Sequence, residues 1–512
     1  MKPIIFIVAV IALALAVGMS LFNGTSTLER KSSGKSWPSD SMPKVAVSTL
    51  NLPLETTKVT SVAKYVVLSQ LGRSLVKLNK EGQYAGDLAE WWEISPNLKE
   101  FKFKLKKDGY FSDGQLITTK HVECSLKRQI KFNQAIHYDF SSVAFISADQ
   151  DFVTITLKEP NPRFIQSMSH PEFFVLPPGA CNTEPGQVDW SITSGPYYQK
   201  KMEGPNLILS RNPYYPNFLG PEQIEVIGEG TEKTAELLKS GQLDFCLGSV
   251  GFKDSEIKQI SASHHYQIEK PHIGFTFWIA INELSPDLKD IGLRKFIMQK
   301  LRENFEVESK YEPFWENADQ IYLPDGSGRM GLEEVKEFWA NLKTDTKDYP
   351  FNNELTLKLL ILKSFEFKNK VVEALKKSGF RVEVTEYSNL KEYEELISKN
   401  PKEFHLVQIN NDFSALDLFG NLQVTFSPSR PLIFFESKRP KIDKLMKIAE
   451  FTENQDDMYQ SYKDIEELLL EEALVFPLAH KNMIFLIRDS ISIEEWSKLF
   501  PEVSFWKMRP KM

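Results

Sequence analysis

Residues 71–128 constrain the fold more than any other stretch of this chain. They read LGRSLVKLNKEGQYAGDLAEWWEISPNLKEFKFKLKKDGYFSDGQLITTKHVECSLKR. Upstream, Val62, Tyr65, Val66, Ser69 and Leu71 recur at helical spacing, which predicts a helix ending near Gly72. A charged turn at Gly82 and a Leu88-Ala89-Glu90-Trp91 element come next. Phe101, Phe103 and Leu105 then alternate with Lys102, Lys104 and Lys106. Such alternation places one apolar face inward and one charged face outward, so it predicts a half-buried strand. Ser112-Asp113-Gly114 turns the chain, and Thr118 or Thr119 caps a following helix with Glu123 in its first turns. The period switches from helix to strand and back, which a purely helical or purely β fold does not accommodate.

The chain has 512 residues, too many for a single core and enough for two or three domains. With 42% hydrophobic and 26% charged residues it reads as globular. The net charge of −7 and the lack of a Lys/Arg run exclude nucleic acid as a partner. Cys124, Cys181 and Cys246 lie far apart without CxxC spacing, which argues against structural zinc. They allow one disulfide with a thiol left over, and the pairing stays open.

The N-terminus sets the compartment. Lys2 precedes an apolar run from Ile4 to Val17, followed by small residues. This is the layout of a secretory signal peptide, with an uncleaved anchor over residues 3–22 as the alternative. No cysteine follows the run to accept a lipid. Both readings put the folded part outside the cytoplasmic membrane, and a periplasmic location fits best. Residues 25–43, rich in Ser, Lys, Gly and Pro, form a flexible lead-in.

Further along, Val153, Ile155 and Leu157 alternate with threonines in a strand stopped by Pro160 and Pro162. Thr193-Ser194-Gly195-Pro196-Tyr197-Tyr198 makes a tight entry into another strand, closed by Arg211-Asn212-Pro213. Residues 235–244 read as a helix with Gly241 at its C-cap. Residues 355–384 give strand, helix, strand, a βαβ unit with Gly379 as helix stop. Residues 442–472 form a pair of amphipathic helices.

Catalytic signatures are missing. The sequence has no nucleophile elbow, phosphate loop, HExxH or glycine-rich dinucleotide turn. The eight histidines are scattered, and the neighbours His264 and His265 would point apart on a strand rather than chelate one metal. The carboxylates mostly lie on solvated helix faces. We expect no enzyme, no metal and no cofactor.

The order of these pieces resembles the family-5 extracellular solute-binding proteins, the peptide-binding components of ABC importers. The matching residues are Gly82, Leu88-Ala89-Glu90, Trp92, Phe103, Leu105, Lys106, Asp108-Gly109, Phe111, Asp113-Gly114, Thr118, Val122, Ser125 and Arg128. The Gly-Pro-Tyr entry at 195–197, Asn282 with Pro286, Asp290 and Arg294, the 322–328 turn and the Ala473 to Leu478 strand follow in the family's order. The resemblance implies an α/β, two-lobed periplasmic-binding-protein-like fold, type II and cluster C-like, with an extra subdomain and a hinge. Expected boundaries are a leader over 1–22, a lead-in over 23–43, lobe I over 44–80, the inserted subdomain over 81–190, lobe I again over 191–282, lobe II over 283–478 and lobe I over 479–512. Trp91 and Trp92 are expected to pack the subdomain.

It further implies a monomer that takes a peptide or related small solute and hands it to an inner-membrane ABC permease. Asp412 falls where peptide-carrying members place an Asp for the ligand's ammonium, with Asn410 and Asn411 beside it to bond a ligand backbone. Trp278 and Tyr197 are the aromatic candidates for the pocket. The chain departs from the pattern: Ile409 and Asn410 stand where the family has a Trp, Leu416-Asp417 where it has Asp-Pro, and Leu54-Glu55 replaces an early Asp-Pro. These departures leave room for a ligand other than a peptide, such as a nickel complex or haem-like molecule, or for a non-transport sensor or scaffold.

Overall fold

The computed structural model describes residues 37–511 except 39–40, 48, 60, 79–83, 133, 135–137, 139, 249–253, 271–273, 325–327, 352–353, 412–417, 427–433, 453 and 495–502. In chain order the strands are β1 (Lys44–Ala46), β2 (Val76–Leu78), β3 (Tyr84–Gly86), β4 (Ala89–Ile94), β5 (Glu100–Leu105), β6 (Val143–Ala148), β7 (Phe152–Leu157), β8 (Tyr197–Glu203), β9 (Asn206–Arg211) and β10 (Gln223–Ile227). They continue with β11 (Phe245–Leu247), β12 (Tyr266–Glu269), β13 (Gly274–Ile281), β14 (Trp315–Asn317), β15 (Thr356–Leu362), β16 (Arg381–Tyr387), β17 (Leu406–Asn411), β18 (Val475–Asn482) and β19 (Phe485–Arg488).

Two lobes are built on two sheets. The first has the order β12-β19-β11-β1-β10-β9-β8 and the second β14-β18-β13-β17-β15-β16. The predicted βαβ unit is β15, the helix Lys368–Lys377 and β16, with the two strands parallel. Gly379 ends that helix at φ +92°, a conformation that favours glycine. The expected helix over the 60s runs Val62–Leu71, where Ser61 accepts a hydrogen bond from the Lys64 amide.

The inserted subdomain carries the sheet β4-β5-β7-β6. The period-two pattern governs it: Phe101, Phe103, Val153, Ile155 and Leu157 are buried in its core. Trp92 packs against that core, but Trp91 does not, since its neighbour on the strand points the other way. Trp91 lies on the outer face, edge-on to Phe152 at 5.8 Å. Cys124 and Cys181 form a disulfide here, with Cα atoms 5.4 Å apart, and Cys246 is buried as a free thiol.

A buried ion pair clamps the subdomain to the first lobe. Arg128 Nη1 and Nη2 donate to the two Glu55 carboxylate oxygens at 2.7 and 2.8 Å. The Glu55 carboxylate also accepts from the amides of Thr57 and Gly186 at 2.8 and 2.6 Å. Glu55 therefore serves the framework, and its departure from the family pattern does not alter the pocket. A second pair, Arg73 with Asp87 at 2.7 Å, ties the helix exit to the β3–β4 turn.

The lobe boundaries differ from those expected. β13 pairs with β17 and β18 inside the second sheet, so the first crossing lies between β12 and β13, before Gly274, and not at Asn282. β18 runs on to Asn482 in the same sheet, so the return lies at Met483 and Ile484, not after Leu478. Both strands are buried on both faces over most of their length, and such runs carry no period to show which sheet they join.

Burial raises the Glu55 pKa, but Arg128 and the two amides outweigh it and leave the group below its ordinary 4.5. The stability this contributes is complete above pH 4.5 and is lost as the pH falls below it. Arg128→Met strands the carboxylate in the interior and should cost about 3–5 kcal/mol in urea unfolding near pH 7. A loss below about 1 kcal/mol would show the pair to be dispensable.

Candidate functional site

At the crossings each sheet ends in a close backbone contact of its own, β13 against β18 in the second and β11 against the start of β19 in the first. A Cβ on Gly274 would lie 2.3 Å from the Lys481 carbonyl oxygen, so no side chain fits there. Gly248, at the end of β11 with φ +79°, donates its amide to the Ile484 oxygen at 2.9 Å. These contacts bring the ends of β11, β13 and β18 together beside both crossings.

A cavity of about 340 Å³ opens at this junction, lined by Gly248, Phe275, Phe277, Phe314, Asn410, Lys481, Asn482, Met483 and Ile484. Phe277 forms its aromatic wall, stacked on Phe365 at 4.9 Å and tilted against Trp315 at 5.1 Å. Asn410 stands opposite Phe277 on β17 with its side chain exposed. Asn482 fixes the rim: its amide bonds the Phe314 oxygen at 2.8 Å and its Nδ2 the Pro313 oxygen at 2.9 Å. Apolar walls with a few fixed polar groups are the make-up of a small-molecule site.

The lobes also touch away from the junction. Lys258 Nζ donates to the Lys310 oxygen at 3.1 Å, and Lys270 meets Glu316 at 3.4 Å. The Arg163 guanidinium, from the subdomain, lies 3.3 Å from the ring centre of Phe419 in the second lobe. Asp254, at the start of the helix Asp254–His264, is pushed up to about 6 by burial, with Glu366 adding to the rise and Lys481 opposing it. A larger hollow of about 550 Å³ lies on the second lobe alone, ringed by Glu334, Glu337, Asp345, Glu467, Glu471 and Glu472. It sits away from the junction, and domain closure would not enclose a solute there.

The structure brings together only part of the expected set. Asn410 lines the cavity. Asn411 is next to it but is already engaged, accepting from Trp278 Nε1 at 3.1 Å and donating to Thr425 Oγ1 at 2.9 Å. Trp278 belongs to the second sheet, faces the core and is 1% exposed. Tyr197 is 0% exposed in the first-lobe core, its hydroxyl donating to the Pro221 oxygen at 3.2 Å. In this conformation it presents no surface to a solute. Asp412 lies outside the described residues.

Phe277, Phe314, Lys481 and Asn482 were not among the expected site residues. The alternation in Phe275-Thr276-Phe277-Trp278 separates two faces without saying which one is the cavity. Lys481 had a usable signal: it is the one formally charged residue in the strand VFPLAHKN.

Two lobes joined at paired crossings, with a cavity beside those crossings, define a two-lobed α/β architecture of the hinged class. Comparison with known proteins agrees. Residues 83–297 match the model for bacterial extracellular solute-binding proteins, family 5, middle region. The probable D,D-dipeptide-binding periplasmic protein DdpA of Escherichia coli K12 is 23% identical over 78% of this chain and 79% of its own. The periplasmic oligopeptide-binding protein OppA of the same organism is 24% identical over 60% of this chain and 62% of its own. Among solved structures, NikA from Brucella suis with Fe(III)-EDTA superposes with a TM-score of 0.75 at 19% identity, covering 92% of this chain and 100% of that one. The open, unliganded murein tripeptide-binding protein MppA gives a TM-score of 0.73 at 17% identity, covering 93% and 99%. The chain is thus similar to the family 5 extracellular solute-binding proteins over residues 83–297 and shares the fold of solved binding proteins over most of its length.

Beside the cavity, His480 is fully buried, with Nδ1 3.0 Å from Thr276 Oγ1. Burial first, then Arg329 and Lys270, hold it down to about 3. The folded pKa is depressed, so the neutral ring's stability is complete above pH 6.5 and lost as the pH falls from there towards 3. Unfolding stability should fall across that window in the native protein and fall less steeply in His480→Asn. An identical slope in both would show that the ring takes up its proton while folded.

Proposed function

We propose that the protein captures a peptide or related small solute in the interlobe cavity and delivers it unaltered to the permease of an ABC importer. The observation that carries the reading is the cavity's position, walled by the second lobe, by Gly248 at the edge of the first and by the return segment Met483-Ile484 that joins them. A solute held there contacts both halves, so it stabilises the shut form over the open one. At about 340 Å³ the cavity stands at the small end of ligand pockets, which favours a short peptide or similar molecule over a long chain. The specificities in the relatives' names, a D,D-dipeptide for DdpA and oligopeptides for OppA, favour the same class.

Within this reading Asn410 bonds the solute and Phe277 supports its apolar part. Asp412, which follows Asn411 directly in the sequence, takes a ligand ammonium. The protein acts as a monomer, and it acts outside the cytoplasmic membrane, a location that the periplasmic relatives' names support.

A panel of short peptides tests the solute class by thermal unfolding. A ligand at about a hundred times its Kd adds about 2.7 kcal/mol to stability, so at least one peptide should raise Tm by several degrees. Asp412→Asn should weaken that peptide about tenfold without changing the unliganded Tm. A panel in which no member moves Tm excludes peptides as the solute.

A further inference from the structure

The cavity's charge is lopsided. Among the described residues, Lys481 is the one ionisable side chain in its lining. Register places it between Phe275 on β13 and Trp315 on β14, and its ammonium lies 5.0 Å from the centre of the Trp315 ring. The side chain is half-buried, and among the described residues no carboxylate comes within ion-pair distance of it. The carboxylate that feels it, Asp254, is shared with Lys258 and stays beyond direct contact. The neighbouring polar groups are amides, and Asn482 spends its own on Pro313 and Phe314.

A cation set among aromatic rings gains from the ring faces but still lacks a counter-charge. Shutting the lobes removes water from it and raises the cost of leaving it unpaired. The groups lining the cavity therefore reward a ligand that brings a negative charge to Lys481 and an apolar body to Phe275, Phe277 and Phe314. We propose that Lys481 is the specificity-determining residue of the cavity and that it selects solutes carrying an anionic group, in the first place a carboxylate, next to an apolar or aromatic portion. The proposal rests on the reading of the cavity as the solute site.

Two dyes that share an aromatic body separate the two ideas. Anilinonaphthalene sulfonate carries an anionic group, and phenylnaphthylamine carries none. Both are titrated by fluorescence into the full-length native protein, Lys481→Met, Lys481→Arg and Phe277→Ala. The proposal expects saturable binding of both dyes to the native protein, weakened by Phe277→Ala. It expects Lys481→Met to weaken the sulfonate about tenfold or more while leaving the neutral dye unchanged. Lys481→Arg should restore most of the sulfonate affinity. Lys481→Met weakening both dyes equally, or neither, overturns the role of Lys481 while the cavity stands. If binding of both dyes ignores Phe277→Ala and Lys481→Met alike, the cavity is not the site, and the proposal falls together with the reading beneath it.

Discussion

The close approach of backbone at the junction is the constraint on which the rest depends. Gly274 lies so near the Lys481 carbonyl that a methyl group would overlap it, and Gly248 bonds directly to Ile484. A side chain at Gly274 would prise β13 from β18 in the second sheet, and Gly248 holds a φ of +79° that favours glycine at the end of β11. With glycine there, the ends of β11, β13 and β18 converge, and the space left between them is the cavity. The same convergence puts the return segment in the cavity wall. A ligand in that wall touches the part of the chain whose dihedrals must change for the lobes to move, so binding and closure are coupled by construction.

Motion at a junction is useful only if the parts on either side hold their shape. Buried polar clamps provide this. Arg128 with Glu55 and Arg73 with Asp87 lock the inserted subdomain to the first lobe. In the second lobe Asn282 Nδ2 holds the carbonyls of Pro401 and Phe404 at 2.7 Å each. Arg294 Nη1 bonds the Leu288 oxygen at 2.9 Å and Nη2 the Glu472 oxygen at 3.0 Å. Each clamp satisfies groups that would otherwise be buried without partners, and breaking one leaves the other half stranded. Several of the residues that carry the family resemblance, Arg128, Asn282 and Arg294 among them, do this framework work and do not touch the cavity.

That division explains what could be read from the sequence. Half-buried elements announced themselves: Phe101 to Leu105 and Val153 to Leu157 alternate because one face meets the core and the other meets water. The crossings did not, because β13 and β18 are buried over most of their length without a period-two pattern, and the choice of sheet is made by tertiary packing. Tyr197 and Trp278 show the same limit. Each sits on a strand where adjacent side chains point oppositely, and the sequence cannot say which side is core. Asn410 was reachable through the resemblance. Lys481 was not, since the family pattern does not include it and only its isolation in an apolar strand marks it. The cysteine pairing was likewise settled by the fold, which folds residues 124 and 181 together and buries Cys246 elsewhere.

Native mass spectrometry of the purified protein, after incubation with a mixture of short peptides, tests the central claim most directly. The account predicts that the protein retains a single small molecule, one per chain, and that denaturation releases it with its mass unchanged. A protein that retains nothing from the mixture or from its host, or that returns its passenger cleaved or altered, would contradict a reversible capture between two closing lobes.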